Sequence, residues 1–196
     1  IRFEGNNYDT AWEKEAKKRG LPNKKTAPES LKDLITKKNK DVFIRLNVLS
    51  EIEIESIYTI LVEQYIKVVN IEVETALMMA KTLVVPGVIK YQNVLSKSVK
   101  NLSSVKGIDA KVLKKESEIV SMYSKLVAEL YGKIEKLDAV LGKREKIGDE
   151  DEKANFYCRE IIPLMYSLRE TVDALEEYTG DEYWALPKYR EMLFVY

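Results

Sequence analysis

Histidine is absent from all 196 residues, and there is a single cysteine, Cys158. The missing imidazole removes Ser-His-Asp and Cys-His nucleophilic catalysis, the commonest general base and most transition-metal sites. It also removes the Glu-x-x-His pairs of di-iron four-helix bundles. One cysteine forms no internal disulfide, which fits a reducing compartment. The eight glycines are scattered singly, whereas a phosphate-cradling loop needs several at fixed spacing before a helix. The nearest approach, Gly5-Asn6-Asn7, reads as a plain turn. Excess charge is lacking too, with 32 Lys and Arg against 32 Asp and Glu, and nucleic-acid binding normally needs a basic stripe. The short basic runs Lys14–Arg19 and Lys37–Lys40 are interspersed with or followed by acids and read as solvated helix faces. No run approaches the roughly 18 uncharged apolar residues of a membrane span. No secretory leader is expected, and a chain opening on Ile1 is expected to be a fragment of something longer.

What is present is helical periodicity. The stretch VLSEIEIESIYTILVEQYIKVVNIEVETALMMAKTLVVPGVIKYQ, Val48 to Gln92, opens with Ser50 and, three residues on, Glu53. In such a capping box each side chain satisfies a backbone donor that the first helical turn leaves free. Apolar residues follow at Ile54, Ile57, Leu61, Tyr65, Val68, Leu77, Ala80, Val84, Val88, Tyr91 and Leu95, nearly all in steps of three and four, the period of a helix with one buried stripe. Ile60, Val69, Val73, Ala76, Met79 and Leu83 cover a second face. A helix apolar on two faces is normally packed between neighbours.

The same stretch, as S-E-x-E-x-x-S-x-Y-x-I-x-x-E-x-Y-x-K, then N-I-E-x-E-T-A-x-M-x-A-K, then P-G-V-I-K-Y-Q, resembles the C-terminal extension of type III glutamine synthetases. Near the start, FEGNNYDTAWEKEAKKRGLPN (Phe3 to Asn23) resembles the segment joining that family's catalytic module to its extension. At the end, YWALPKYREMLF (Tyr183 to Phe194) is similar to the family's closing W-P-x-P-x-Y-x-x-L-L-F, with Ala185-Leu186 in place of its first proline and neighbour. Residues 105 to 154 carry helical periodicity and no such words. The resemblance implies a parent enzyme that condenses glutamate and ammonia with hydrolysis of ATP on Mg²⁺ or Mn²⁺. Its metal, nucleotide and glutamate sites lie in the catalytic module, and none of those motifs occurs here, so the resemblance carries over no catalytic, cofactor-binding or metal residue.

Start and stop signals divide the chain. Asp9 caps a helix through Arg19, which Gly20 and Pro22 end. Thr26-Ala27-Pro28-Glu29 offers a second capping box with proline in the first turn, opening a helix to about Arg45 with a break near Asn39; Asn47 ends it. The main helix is expected from Ser50 to about Leu102, ~75 Å at 1.5 Å per residue, with a kink or break at Pro86-Gly87. Ser103-Ser104 and Lys106-Gly107 give turn chemistry, and Asp109 caps the next helix, to about Lys146. Its stripe is Ile119, Tyr123, Leu126, Leu130, Ile134, Leu137 and Leu141, with Lys133 on the opposite face. After Gly148-Asp149, Ala154, Cys158, Ile161, Met165, Leu168, Val172 and Leu175 form a heptad pattern, bent at Pro163 and closed by Thr179-Gly180.

The expected fold is all-α, an antiparallel bundle of long helices with a proline-kinked central helix and short flanking helices. The expected organisation is a linker and short helices over 1–47, following an absent catalytic module, a bundle over 48–182, and an aromatic tail over 183–196 packed on it. Cys158 reads as a buried core thiol. Glu51, Glu53 and Glu55, and Asp149 to Glu152, read as solvated charge. Glu63, Glu72 and Glu74, in the most apolar helix, are expected on its polar stripe or paired with Lys67, because an isolated buried charge is too costly. Trp12, Trp184, Tyr189 and Phe194 are the candidate packing or interface anchors, since aromatics dominate interface hot spots. The expected partners are the chain's own catalytic module and neighbouring subunits of a homo-oligomer, in the cytoplasm, with no nucleic acid and no membrane. The alternative left open is a free-standing helical adaptor.

Overall fold

The structure, a computed structural model, describes residues 4–6 and 8–193, apart from the side chains of residues 189 and 190. All regular structure among them is helical, and the chain divides into two compact units, Ile1–Tyr65 and Ile66–Tyr196.

The first unit is built of short, individually capped helices. α1 (Thr10–Lys18) starts on Asp9, whose carboxylate accepts the Ala11 N–H at 3.5 Å. It ends in a Schellman turn: Gly20, at φ 67°, donates to the Lys17 carbonyl, and Leu21 donates to that of Ala16. Positive φ is where glycine costs nothing. α2 (Ala27–Leu31) has buried Pro28 in its first turn, but Thr26 makes no side-chain cap bond, so that half of the second box does not form. The break before α3 (Lys37–Arg45) falls at residues 32–36 rather than near Asn39. Asn39 Nδ2 and Thr36 Oγ1 both donate to the Asp33 carbonyl, at 2.6 and 2.8 Å, giving that carbonyl partners outside a helix. A second Schellman turn ends α3, with Asn47 at φ 52° donating to the Ile44 carbonyl and Val48 to that of Phe43.

The long helix α4 (Glu51–Met79) opens with the capping box in full. The Ser50 N–H donates to Glu53 Oε2 at 2.7 Å, and the Glu53 N–H to Ser50 Oγ at 3.3 Å. The Ser50 N–H and the Ser50 hydroxyl, which also donates to Glu53 Oε2 at 2.7 Å, hold the Glu53 carboxyl below its ordinary range.

In the second unit, residues 66–79 of α4 pass through a π-helical turn, Ala80–Val84, into α5 (Val85–Ser103), and the helix does not stop at Pro86. A second π turn, Tyr157–Ile161, joins α7 (Glu150–Phe156) to α8 (Ile162–Tyr178), two residues before Pro163. A proline has no N–H and crowds the carbonyl four residues back; widening the preceding turn to i→i+5 bonding accommodates it without ending the helix. α6 (Ala110–Leu141) starts on Asp109, which accepts the Lys111 N–H at 2.8 Å, and packs against both α5 and α8.

Direction follows from the cross-helix pairs. Lys81 meets Asp138 and Gln92 meets Ser124, while Lys133 meets Thr171 and Tyr123 meets Thr179. Partner numbers fall as residue numbers rise, so α6 runs antiparallel to the α4–α5 helix and to α8. The core holds Tyr123, Val127, Leu130, Ile134, Leu137 and Leu141 of α6, with Tyr157, Ile161, Leu168 and Leu175 opposite.

Four readings change. In α4–α5 the buried line is Ile54, Val62, Ile66, Val69, Val73, Leu77, Ala80, Val84 and Val88, whereas Ile57, Leu61 and Val68 of the expected stripe are exposed. A helix apolar on two faces gives the sequence no way to rank them. Cys158 is half-buried, because Tyr157 takes the core place beside Ile161. Leu126 is half-buried, with Val127 in its stead, and Ile119 is exposed. Lys133 is no free surface residue: its ammonium donates to Thr171 Oγ1 at 2.6 Å and to the Ser167 carbonyl at 2.9 Å.

Candidate functional site

Two features of the second unit gather chemistry-bearing side chains, and a third is the apolar surface left uncovered in both units. The first is an aromatic seat where the C-terminal segment meets α5 and α6. Tyr91 packs edge-on to Tyr123 at 5.4 Å and lies tilted against Tyr183 at 5.4 Å. The Thr179 hydroxyl donates its only hydrogen to the Leu175 carbonyl at 2.6 Å. Tyr123 is therefore the donor in the 2.8 Å bond between the two hydroxyls. Burial pushes the Tyr123 phenol up from its ordinary value, so it stays protonated for that role. After the 3₁₀ turn Asp181–Tyr183, Trp184 is extended and buried, and its indole N–H has no partner among the described residues. Lys188 ties the segment down through Asp181 at 2.8 Å.

Gly87 fixes where that segment lies. A Cβ built on it would sit 2.4 Å from the Tyr183 carbonyl oxygen, a distance no side chain tolerates. The glycine beside Pro86 thus lets the C-terminal backbone lie directly on the helix.

The second feature is a polar node joining α4 to the end of α6. Asn70 Oδ1 accepts from the Tyr157 hydroxyl at 2.6 Å and from Arg144 at 2.9 Å, and Arg144 also pairs with Glu74 at 2.8 Å. Beside it lies an open groove of about 500 Å³ floored by Leu77, Met78 and Leu141, with the Lys81–Asp138 and Arg144–Glu74 pairs at its edges. Sequence reasoning places these glutamates on the polar stripe or paired with Lys67, and Glu72 and Glu74 are exposed; it does not single out Asn70, Arg144 or Tyr157. Their separations of 74 and 87 residues leave no local signal. Glu63 is half-buried.

The third feature is what stays uncovered. In the second unit Val68, Ile71 and Met78 of α4 are exposed; in the first, so are Leu46, Val48, Ile52 and Ile60. Of the four aromatic candidates, Trp12 is half-buried on α1 and Trp184 is buried; Phe194 and the side chain of Tyr189 lie outside the described residues. No group of three or more His, Cys, Asp or Glu able to hold a metal ion occurs among the described residues, and no described helix is long and apolar enough to cross a membrane. The acids with shifted pKa values, Glu15, Glu53 and Glu129, are all lowered by hydrogen bonds from Arg19, Ser50 and Lys133, so they are ionised at neutral pH.

The fold and these features define an all-α bundle domain, sealed by an aromatic C-terminal segment and apolar on faces that it does not itself cover. The comparisons with known proteins give it a family. A family model described as the glutamine synthetase C-terminal domain matches residues 1–103, and the chain belongs to that family. It is 32% identical, over its whole length, to a type-3 glutamine synthetase of Dictyostelium discoideum. It is 32% identical over 99% of its length to glutamine synthetases of Butyrivibrio fibrisolvens and of Bacteroides fragilis (strain YCH46). The chain spans 27% of the length of each of these relatives.

Proposed function

We propose that this chain is the accessory C-terminal helical domain of a longer glutamine synthetase, and that it organises the enzyme rather than performing its chemistry. One observation carries the reading: relatives named as glutamine synthetases match this chain from end to end, yet most of their length lies outside the match. The parent reaction would be ATP-dependent ligation of ammonia to glutamate, giving glutamine. The groups present do not fit the parent's ATP and Mg²⁺ or Mn²⁺, since the described acids form no metal-holding cluster and the glycines form no phosphate loop. In this reading the cofactors would sit in the part of the enzyme outside this chain. The uncovered aliphatics, with Trp12, Tyr189 and Phe194, would pack against that part or against neighbouring subunits of a cytoplasmic homo-oligomer, while Trp184 anchors the C-terminal segment within the chain.

An assay with glutamate, ammonium, ATP and Mg²⁺ tests this. The full polypeptide should form glutamine while the 196-residue chain shows only background. Turnover by the chain alone refutes the reading, and so does a complete reading frame that begins at Ile1, which would make the chain a free-standing adaptor.

A further inference from the structure

Within that reading, on which this inference rests, we propose that the corner of Leu46, Val48 and Ile52 in the first unit is the seat of the polypeptide that precedes this domain in the same subunit. These three side chains are 68%, 60% and 80% exposed and fall within seven residues of one another. Few aliphatic side chains among the described residues are as open.

Local bonds hold the backbone of the corner on both sides. On one side α3 closes in the Asn47 Schellman turn, and on the other α4 is fixed by the Ser50–Glu53 box. Lys40 of α3 clamps the two together through Glu51 at 3.2 Å and Glu55 at 2.5 Å. In a Schellman turn the residue after the left-handed position usually folds back onto the last helical turn. Val48 holds that position, and the turn leaves it mostly in solvent. Apolar side chains held out by a fixed backbone cost little entropy to bury, and charged residues rim them at Arg45, Glu51 and Glu55, the pattern of a contact surface rather than a stray exposed residue.

The area identifies the occupant. Three such side chains offer on the order of a few hundred Å², well short of the ~800 Å² per partner that a stable bimolecular interface buries. A tethered partner needs far less, because a covalent connection supplies an effective concentration near the millimolar range for a short linker. The missing length supplies such a partner: the family is a C-terminal domain, and most of each relative lies outside the match. That preceding module would join at the first unit itself.

The test compares maleimide labelling of Leu46→Cys and Ile52→Cys, each in a Cys158→Ser background, in the 196-residue chain and in the full polypeptide. Rates are normalised to the same proteins in denaturant. Labelling in the full polypeptide is expected to slow by roughly tenfold or more, the factor carried by 1.4 kcal/mol of burial, and to stay slow in protomers separated by dilution. Equal rates in the two forms overturn the proposal, and so does protection that vanishes on dissociation, which would give the corner to a neighbouring subunit. Hydroxyl-radical footprinting of wild-type Leu46 and Ile52 reads the same burial without substitution. Glutamine formation is followed in parallel: an active full enzyme with an open corner sinks this inference alone, whereas an inactive one sinks the functional reading beneath it.

Discussion

The two units bury their side chains on different scales. Among the largest fully buried side chains of the described residues, Ile54 is the one from the first unit; Tyr123, Leu130, Leu137, Tyr157, Ile161 and Leu175 all belong to the second. The second unit has three long helices whose apolar stripes face one another, so each buried methylene adds to one continuous core. The first relies on caps, two Schellman turns and exposed ion pairs, which contribute about 1 kcal/mol or less apiece. Stability that comes from caps fixes local shape without filling a core. That would suit the docking proposed for its apolar corner.

The strongest way to break this contrast is to empty both regions. Leu130→Ala and Leu137→Ala remove fully buried side chains and should each cost about 2–5 kcal/mol in urea unfolding. Leu46→Ala and Ile52→Ala, in the 196-residue chain, should stay within about 0.5 kcal/mol. Comparable losses at all four would mean that the first unit has a core of its own. Next in size is Gly87→Ala. Its methyl must displace the Tyr183 backbone, since a Cβ there would lie 2.4 Å from that carbonyl oxygen. The expected loss is about 1–3 kcal/mol, the usual range for overpacking, with a red-shift of tryptophan emission as Trp184 opens to water. An unchanged spectrum and melting curve would show that the C-terminal segment is not seated by this glycine.

Much of this architecture is legible in the residues, and the part that is not has a physical reason. Ser50 with Glu53, Asp9, Asp109 and Asn47 act through neighbours in sequence, so their caps and turns can be read locally. Apart from Leu126, whose place Val127 takes, the Tyr123–Leu141 stripe of α6 is legible because its apolar residues concentrate on one face. By contrast, the buried line of α4 passes through Val62 and Ile66 instead of Ile57 and Leu61, a choice between two apolar faces that only the packed partners make. The same holds for Tyr157 over Cys158: adjacent residues flank one column, and the choice rests on Asn70, 87 residues away. The two π turns are not legible, since proline chemistry predicts a kink or break at Pro86 and a bend at Pro163 but not which local geometry the helix adopts. The candidate site was legible as aromatic words at the C-terminal end and not as geometry, because Tyr91 and Gly87, which receive Tyr183, lie some ninety to a hundred residues earlier.

Lys133 sharpens the comparison on a finer scale. Read as a surface residue, it should tolerate alanine with a loss below about 0.5 kcal/mol. Its ammonium instead bonds Thr171 Oγ1 and the Ser167 carbonyl across α6 and α8, with Glu129 at 2.7 Å completing the group. Lys133→Ala should therefore cost about 1.5 kcal/mol, as expected when a charged donor is lost to partly buried acceptors. A loss of that size, against a near-zero effect for the exposed Lys125→Ala, would mark polar bonds as part of what holds the second unit.

The smallest effect is expected at the capping box, and it tests how the first unit holds its shape. Ser50→Ala removes the oxygen that accepts the Glu53 N–H and should cost about 1 kcal/mol. The loss should be local, seen as faster hydrogen exchange of amides 51–54 while those of α6 are unchanged. Acid should reproduce it in the wild type. The Glu53 carboxyl titrates below its ordinary value in the folded chain because it accepts from the Ser50 N–H and hydroxyl. In the unfolded chain it protonates near pH 4.3, so above that pH both states are ionised and the cap contributes fully. As the pH falls from about 4.3 through the lower folded value, the unfolded state takes up its proton first and the cap's contribution is lost. Exchange of amides 51–54 should thus rise relative to the core across that window, and Glu53→Gln should flatten the dependence. If the glutamine variant keeps the same acid profile, another carboxylate sets it and the box contributes shape without acid sensitivity.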